Sequence, residues 1–330
     1  MQHSQLFQKI VHPGSDFRFE EVAMEVFRYQ SAHVSIYKDY LSLLKIAPES
    51  INDYKKIPFL PISFFKSHEI ISNGFSPEIV FSSSGTTGQK TSKHLVAFKN
   101  AYIEHALQLF EEHYGALQDW CVLALLPSYL ERTGSSLVLM AESMIAKAKA
   151  GSGFYLHNHT ELAQQLRANE AAGIKTLLLG VTFGLLDFAE HFSLPLQHTT
   201  IMETGGMKGR REEMTREQVH RFLQHRFGPI PIHSEYGMTE LLSQAYSDGG
   251  GLFKQNRTLR ILLRDTTDPL SAAPNGKSGG INIIDLANFY SCSFIATEDL
   301  GKLHENGQFE VIGRFDQSEA RGCNLMIAPE

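Results

Sequence analysis

Residues 82–93 read Ser-Ser-Ser-Gly-Thr-Thr-Gly-Gln-Lys-Thr-Ser-Lys, a run that combines many hydroxyl groups with two glycines and two lysines. It follows a predicted strand, residues 78–82, and precedes a predicted helical region. Glycine lets backbone N–H groups turn toward an anion, hydroxyls add donors, and lysine supplies positive charge. The stretch therefore predicts a phosphate-binding loop, although an ordinary flexible turn has the same composition.

Two common phosphate-binding motifs do not match this loop. Gly85 and Gly88 are too close together for a Walker A loop, and no Gly-Lys-Ser or Gly-Lys-Thr follows them. The loop also lacks the glycine pattern of a dinucleotide-binding fingerprint. The function of the loop therefore has to be inferred from the elements and motifs that surround it.

Around the loop, strand and helix patterns alternate, which predicts crossover units and a mostly parallel sheet flanked by helices. Residues 17–44 have apolar residues at helical spacing, and residues 57–65 are predicted to be extended because two prolines frame them. After about residue 252, short strands and turns predict a β-rich subdomain at about 252–312. The predicted strands are 78–82, 120–126, 175–179, 199–202, 230–234, 257–263, 280–285, 291–297 and 308–312, and the later helices are 100–114, 135–148, 161–172 and 215–227. The fold class is therefore α/β with a β-rich part.

Five short motifs occur in an order that resembles the adenylate-forming superfamily, which includes acyl-CoA synthetases, firefly luciferase and peptide-synthetase adenylation domains. Ser83 to Gly88 is similar to its Thr-Ser-Gly-Thr-Thr-Gly phosphate loop. The other four are Thr-Gly-Gly at 204–206, Tyr-Gly-Met-Thr-Glu at 236–240, Thr-Glu-Asp-Leu-Gly at 297–301 and Gly-Arg-Phe-Asp at 313–316. The resemblance implies the fold of that superfamily's N-terminal domain and the activation of a carboxylic acid as acyl-AMP, with ATP and Mg²⁺.

The resemblance also implies which residues form the site. Glu240 would hold Mg²⁺, since hard cations take oxygen ligands. Lys93 and His94 are the catalytic candidates next to the loop, and Lys90 is a second candidate for the lysine. The residues implied to bind ATP are Ser83, Ser84, Gly85, Thr86, Thr87, Gly88, Gly205, Gly206, Tyr236, Gly237, Thr239, Asp299 and Arg314.

Three of these residues have a simpler structural interpretation. Glu240 would suit the first turn of a helix. Asp299 would suit a turn before a glycine, and Tyr236 would suit a hydrophobic core. These alternatives stay open at the level of the sequence.

Within the superfamily, the chain resembles the acyl-protein synthetases of bacterial bioluminescence operons. The similarity rests on residues 58–66, on the Lys93-His94 pair and on an ending shortly after residues 321–325. It implies a large domain of residues 1–312, a hinge-like tail of residues 313–330, and the absence of the C-terminal lid domain with its lysine. It also implies that Cys323 accepts the acyl group as a thioester, whereas most free cysteines are small buried residues.

The same resemblance implies several candidates for the acid and for the acyl acceptor. The acid would be a fatty acid or another carboxylic acid, with Tyr129 near its pocket. The acceptor would be a protein thiol, on a partner such as a reductase or carrier, or alternatively coenzyme A or a carrier-protein pantetheine. A third alternative is a non-catalytic nucleotide- or acyl-binding partner in a complex.

Composition limits the remaining function classes. The 30 basic residues are outnumbered by 36 acidic ones, so we expect no broad nucleic-acid surface. No apolar run is long enough for a membrane span, and the three cysteines have neither zinc nor disulfide spacing. His157 and His159 have the spacing of a metal site but no acidic or cysteine partner nearby, so we expect a surface loop. We predict a soluble, cytoplasmic protein.

Overall fold

The computed structural model describes residues 2–83, 90–127, 134–205, 214–274 and 276–315, and these ranges contain two main β-sheets packed with helices. The α-helices are α1 (Gln2–Val11), α2 (Phe19–His33), α3 (Ser35–Leu43), α4 (Phe64–Ser67), α5 (Lys99–Tyr114), α6 (Ser136–Lys147), α7 (His159–Ala171), α8 (Thr182–His191) and α9 (Arg216–Phe227). The strands are β1 (Leu60–Pro61), β2 (Ile79–Ser82), β3 (Lys93–Val96), β4 (Cys121–Leu125), β5 (Gly153–Tyr155), β6 (Thr176–Val181), β7 (Thr199–Thr204), β8 (Ile232–Tyr236), β9 (Ala245–Ser247), β10 (Leu252–Phe253), β11 (Leu259–Arg264), β12 (Gly279–Asp285), β13 (Phe294–Leu303) and β14 (Phe309–Arg314).

The first sheet has the strand order β5-β4-β6-β7-β8-β9, and its neighbours are parallel from β5 to β8. Strand β9 pairs with β8 in the antiparallel direction. Strands β4 and β6 are buried along their whole length, as expected for near-continuous apolar strands in a sheet covered on both faces. The carboxyl ends of β7 and β8 lie side by side, which positions the residues that follow them.

The second sheet has the strand order β10-β14-β13-β12-β11, and β1 joins it parallel to β13. The N-terminal helices pack against it through aromatic side chains. The rings of Phe27 and Tyr37 each lie 6.0 Å from the ring of Phe294. The buried amide of Gln30 donates to the carbonyl oxygens of Asn288 and Phe289, each at 2.9 Å. The helical start of the chain is therefore part of the core of the second sheet.

Strands β2 and β3 form an antiparallel hairpin, with Ser82 opposite Lys93. The sequence predicts β2, but it wrongly predicts that the loop leads directly into a helical region. Strand β3 forms because His94, Leu95 and Val96 are buried, while Phe81 of β2 packs against Tyr102 of α5 with ring centroids 4.9 Å apart. The Ser/Thr/Gly loop therefore connects two paired strands.

Most predicted elements occur within a few residues of their expected bounds, and three differences matter. The extended segment 57–65 ends in the short helix α4, the strand expected at 291–297 begins at Phe294 and continues to Leu303, and α8 was not predicted. Strand β13 continues because it pairs with β14 as far as Leu303. The division into residues 1–312 and a tail of residues 313–330 stays a prediction.

None of the helices in the described ranges is both long and apolar enough to cross a membrane.

Candidate active site

A cavity of about 880 Å³ lies where the carboxyl ends of β7 and β8 meet β13, β14 and the β2–β3 hairpin. Ligand sites of α/β proteins occur in such crevices, beyond the carboxyl ends of parallel strands. Eight of the residues predicted from the motifs line this one cavity. They are Ser83, Gly205, Tyr236, Gly237, Thr239, Glu240, Asp299 and Arg314. The fold therefore brings together residues that lie far apart in the sequence, from Ser83 to Arg314.

Other predicted site residues lie outside the described ranges. They are Ser84, Gly85, Thr86, Thr87, Gly88, Gly206 and Cys323. Tyr129 lies there too. Their roles stay predictions from the sequence.

Tyr236, Asp299 and Arg314 form a connected group at the cavity wall. The Tyr236 hydroxyl donates to Asp299 Oδ2 at 2.8 Å, and Arg314 Nε lies 3.4 Å from Asp299 Oδ1. Burial raises the pKa of Asp299, and its hydrogen bond from Tyr236 and the charge of Arg314 oppose that rise. Asp299 lies within β13, so the alternative of a turn residue is wrong.

The ring of Tyr236 also belongs to the hydrophobic core. It packs against Phe253 at 5.7 Å and Phe309 at 5.6 Å between ring centroids, and it lines the cavity as well. Both interpretations of this residue therefore describe part of its environment.

The segment that carries Thr239 and Glu240 is held by three buried side chains. His94 Nδ1 lies 2.9 Å from the carbonyl oxygen of Thr239, and Asn288 Nδ2 donates to that of Glu240 at 2.8 Å. Asp285 Oδ2 accepts the backbone N–H groups of Leu242 and Ser243 at 2.8 and 3.0 Å. These contacts fix the backbone without using the side chains that line the cavity.

Glu240 fits the role of a magnesium ligand. Its side chain lines the cavity, it is 6% exposed, and burial raises its pKa. It lies in a turn and begins no helix, so the helix-start alternative is wrong. The described residues contain no cluster of three or more His, Cys, Asp or Glu side chains suited to a metal. A single carboxylate is still a suitable site for Mg²⁺, which usually binds through one or two carboxylates together with substrate phosphates.

Lys93 and His94, the two catalytic candidates on β3, are both absent from the described lining of the large cavity, where their predicted roles would place them. His94 is fully buried and is absent from the described lining of the large cavity, and burial lowers its pKa to about 4, so its ring is neutral. The Nδ1–H group of His94 therefore positions Thr239 by donating to its backbone carbonyl oxygen. Lys93 is exposed on β3 and also absent from that lining, whereas Lys90 is part of it.

The cavity also has charged residues that no motif indicated. Glu203 precedes the Thr-Gly-Gly motif and Glu235 precedes the Tyr-Gly motif, so both stand at strand ends. Arg216 Nε lies 3.3 Å from Glu203 Oε1, and Thr182 Oγ1 donates to Glu203 Oε2 at 2.9 Å. Burial acts to raise the pKa of Glu203, but His220, Arg216 and its other partners hold it below the ordinary value. Their position beside the motifs is the only sequence signal for these residues.

Comparisons with known proteins give matches in structure alone. No protein-family model matches the chain, and no characterised protein matches it in sequence. ATP-bound MatB from Rhodopseudomonas palustris is similar with a TM-score of 0.54 and 15% identity, over 71% of this chain and 47% of MatB. The chain thus spans about half the length of that protein.

Two further structures share the fold. O-succinylbenzoate coenzyme A synthetase from Bacillus subtilis, in complex with ATP and magnesium, has a TM-score of 0.51 and 18% identity, over 71% of this chain and 49% of that one. 2-Hydroxyisobutyryl-CoA ligase, in complex with 2-HIB-AMP and CoA, has a TM-score of 0.64 and 12% identity, over 92% of this chain and 74% of that one. These matches confirm the predicted α/β fold class, since the chain shares its fold with all three solved structures.

Proposed function

We propose that this chain binds ATP with Mg²⁺ and activates a carboxylic acid as its acyl-AMP. The observation that carries the proposal is the convergence of eight motif residues on one cavity at the carboxyl ends of β7 and β8. Solved structures of the same fold bind ATP, magnesium or an acyl-AMP, which supports ATP and Mg²⁺ as ligands here.

The residues of the cavity have distinct roles in this proposal. Asp299 accepts the ribose hydroxyls, and Tyr236 and Arg314 hold its carboxylate in place. Ser83 and Lys90, between β2 and β3, and Thr239, after β8, contact the phosphates. Glu240 would hold Mg²⁺, which neutralises phosphate charge when it is bound.

The reaction then needs positioning and charge neutralisation more than covalent help. An oxygen of the acid's carboxylate attacks the α-phosphorus of ATP, and the bond to the β-phosphate oxygen breaks. Acyl-AMP forms and pyrophosphate leaves. No proton transfer is required of the neutral His94, in agreement with its position outside the described cavity lining.

For the second half of the reaction, we propose transfer of the acyl group to a protein thiol. Its support is the resemblance of residues 58–66, 93–94 and 321–325 to acyl-protein synthetases, with Cys323 as the thiol. We further propose a fatty acid as the first substrate class to test, and a reductase or carrier protein as the final acceptor. Coenzyme A is the second candidate acceptor, because structures of the same fold are named as CoA ligases.

Acid-dependent exchange of labelled pyrophosphate into ATP tests the first half-reaction. We expect the parent chain to catalyse exchange. In Asp299→Asn, the exchange rate should fall to below about a tenth of the parent's, because a buried hydrogen bond to a charged group is worth about 1.5–3 kcal/mol. A non-catalytic binding protein would show no exchange with any acid.

Adding coenzyme A or a candidate protein then separates the acceptors, and Cys323→Ser should abolish labelling of the protein by radioactive acid while exchange continues.

A further inference from the structure

Glu235 and Tyr236 are neighbours on β8, and their side chains extend to opposite faces of the sheet because successive strand residues alternate. Tyr236 extends toward Phe253, Phe309 and Asp299, the side with the predicted ribose site. Glu235 accepts a hydrogen bond from Thr204 Oγ1 and also lines the cavity. The Glu235 side chain therefore lines the cavity from the face of β8 opposite to the predicted ribose site, and Tyr102 and Ser136 line the same cavity.

Gln244 is another polar residue of the cavity wall. It is 5% exposed and lines the cavity, and its Oε1 accepts no hydrogen bond from the part of the chain that the structure describes. Its Nε2 already donates to the carbonyl oxygen of Leu242 at 3.3 Å. Gln244 therefore offers an unused acceptor.

Gly237 shows that the two side chains lie close together. A Cβ atom at this position would be 2.3 Å from Glu235 Oε1 and 3.7 Å from Gln244 Cγ. A side chain at this position would require the Glu235 carboxyl group to move, because that group occupies the space. Glu235 and Gln244 thus flank the same point of the cavity wall.

Among the residues that the structure describes, the titratable groups around Glu235 are a carboxyl group and phenol groups. The titratable groups that face it are Glu203 on β7, Tyr102 and Tyr114 on α5, and Tyr246 on β9. The Tyr102 hydroxyl donates to the carbonyl oxygen of Ser136 at 2.9 Å, and the Tyr114 hydroxyl contacts His233 Nδ1 at 3.1 Å. Within the described ranges, Glu235 forms no ion pair. Burial, with Glu203 adding to it, raises the pKa of Glu235 to about 7.

We propose that Glu235 and Gln244 bind a hydrogen-bond-donating group on the acid that is activated, either a protonated amine or a hydroxyl. A bare alkyl chain would leave Gln244 Oε1 without a partner and Glu235 with the hydrogen bond from Thr204 alone, which is unfavourable. A site built for hydrogen bonds discriminates strongly against analogues that lack the donor. A protonated amine fits best, since it also supplies the countercharge that the described residues do not provide. The inference rests on the proposed function, and it gives amino or hydroxy acids as the substrate class in place of unsubstituted fatty acids.

Pyrophosphate exchange with acids matched in carbon skeleton tests this inference. Suitable sets are alanine, lactate and propanoate, then γ-aminobutyrate, γ-hydroxybutyrate and butanoate, with tetradecanoate as the long-chain acid. We expect at least one donor-bearing acid to exceed its unsubstituted partner about tenfold or more in kcat/KM. Glu235→Gln should lower kcat/KM about tenfold or more for an amino acid, and Gln244→Met should lower it for amino and hydroxy acids alike.

The control variant is Glu217→Gln, which makes the same chemical change at an exposed residue of α9 that pairs with Arg221. Calorimetric titration with ATP and Mg²⁺ should give the same affinity for the parent and for the variants Glu235→Gln, Gln244→Met and Glu217→Gln. Preference for unsubstituted acids, or an unchanged ratio of amino to unsubstituted acid in Glu235→Gln, would overturn the inference while the proposed function stands. Failure to bind ATP would instead remove the proposed function and this inference with it.

Discussion

The Tyr236 hydroxyl connects the core of the protein to its predicted ribose site. The ring packs with Phe253 and Phe309, and the hydroxyl donates to Asp299 Oδ2 at 2.8 Å. Tyr236→Phe keeps the packing and removes one donor from a buried carboxylate. We expect the free energy of unfolding to fall by about 1–3 kcal/mol and KM for ATP to rise.

Urea denaturation and exchange kinetics measure these two effects. Tyr155→Phe is the matched control, because this half-buried tyrosine of β5 lies outside the cavity lining that the structure describes. Equal stability and equal KM in Tyr236→Phe and the parent would contradict the assigned role.

His94 should make the protein sensitive to mild acid. Burial lowers its pKa from 6.5 to about 4, so the unfolded chain binds more protons than the native chain between these values. The contribution of His94 to stability is therefore complete above pH 6.5 and is lost as the pH falls toward 4, by about 3 kcal/mol. Glu235, whose pKa is raised to about 7, has the opposite sign and loses its contribution as the pH rises through that value.

His94→Asn isolates the histidine, because Glu235 is present in both proteins and an asparagine amide still offers a donor to Thr239. We expect the difference in urea midpoint between pH 7 and pH 4 to be smaller in this variant. His225→Asn, at an exposed position of α9, should behave as the parent does. Parallel pH profiles of His94→Asn and the parent would show that the buried imidazole does not titrate in this range.

At the scale of elements, the β2–β3 hairpin places two lysines in different positions, and the sequence prediction ranks Lys93 above Lys90. Lys90 lines the cavity, whereas Lys93 is exposed on β3 and absent from the described lining. We expect Lys90→Ala to raise KM for ATP about tenfold, since a charged contact with phosphate is worth about 1.5–3 kcal/mol. Lys93→Ala should change it less than about twofold. The reverse order in steady-state exchange kinetics would return the role to Lys93.

The same elements show what can be predicted from the sequence. The apolar runs at 120–126 and 175–179 predict buried strands correctly, because a continuous apolar run indicates burial without any information about the neighbouring strands. The strand β3 was missed because Lys93 and His94 look polar, yet pairing with β2 and packing against Phe65 and Phe81 bury the histidine. The continuation of β13 past residue 297 likewise depends on its partner β14.

Some residues of the candidate site could likewise be predicted from the sequence, and others could not. The motifs predicted Tyr236, Glu240, Asp299 and Arg314 from the sequence, and all four line the cavity. Glu235 and Gln244 were not predicted, because their proximity depends on the path of the chain between β8 and β9, which brings both side chains close to Gly237. Pairing of side chains across a turn is not encoded in any short motif.

At the scale of the whole molecule, the cavity lies between the two sheets and is lined by both. Tyr236 of the first sheet contacts Asp299 of the second, and Arg216 contacts Glu203 of β7 and the carbonyl oxygen of Val311 in β14. A nucleotide in this cavity would touch both sheets at once. Its binding should therefore stabilise the protein as a unit, by about 2.7 kcal/mol at a hundredfold excess over Kd.

Calorimetric titration of the chain with ATP and Mg²⁺ tests the central claim most directly. We predict one binding event per chain, weakened about tenfold or more in Asp299→Asn and dependent on Mg²⁺ in the parent but much less so in Glu240→Gln. No heat of binding in the parent, or equal affinity for the parent and Asp299→Asn, would contradict a nucleotide site in this cavity.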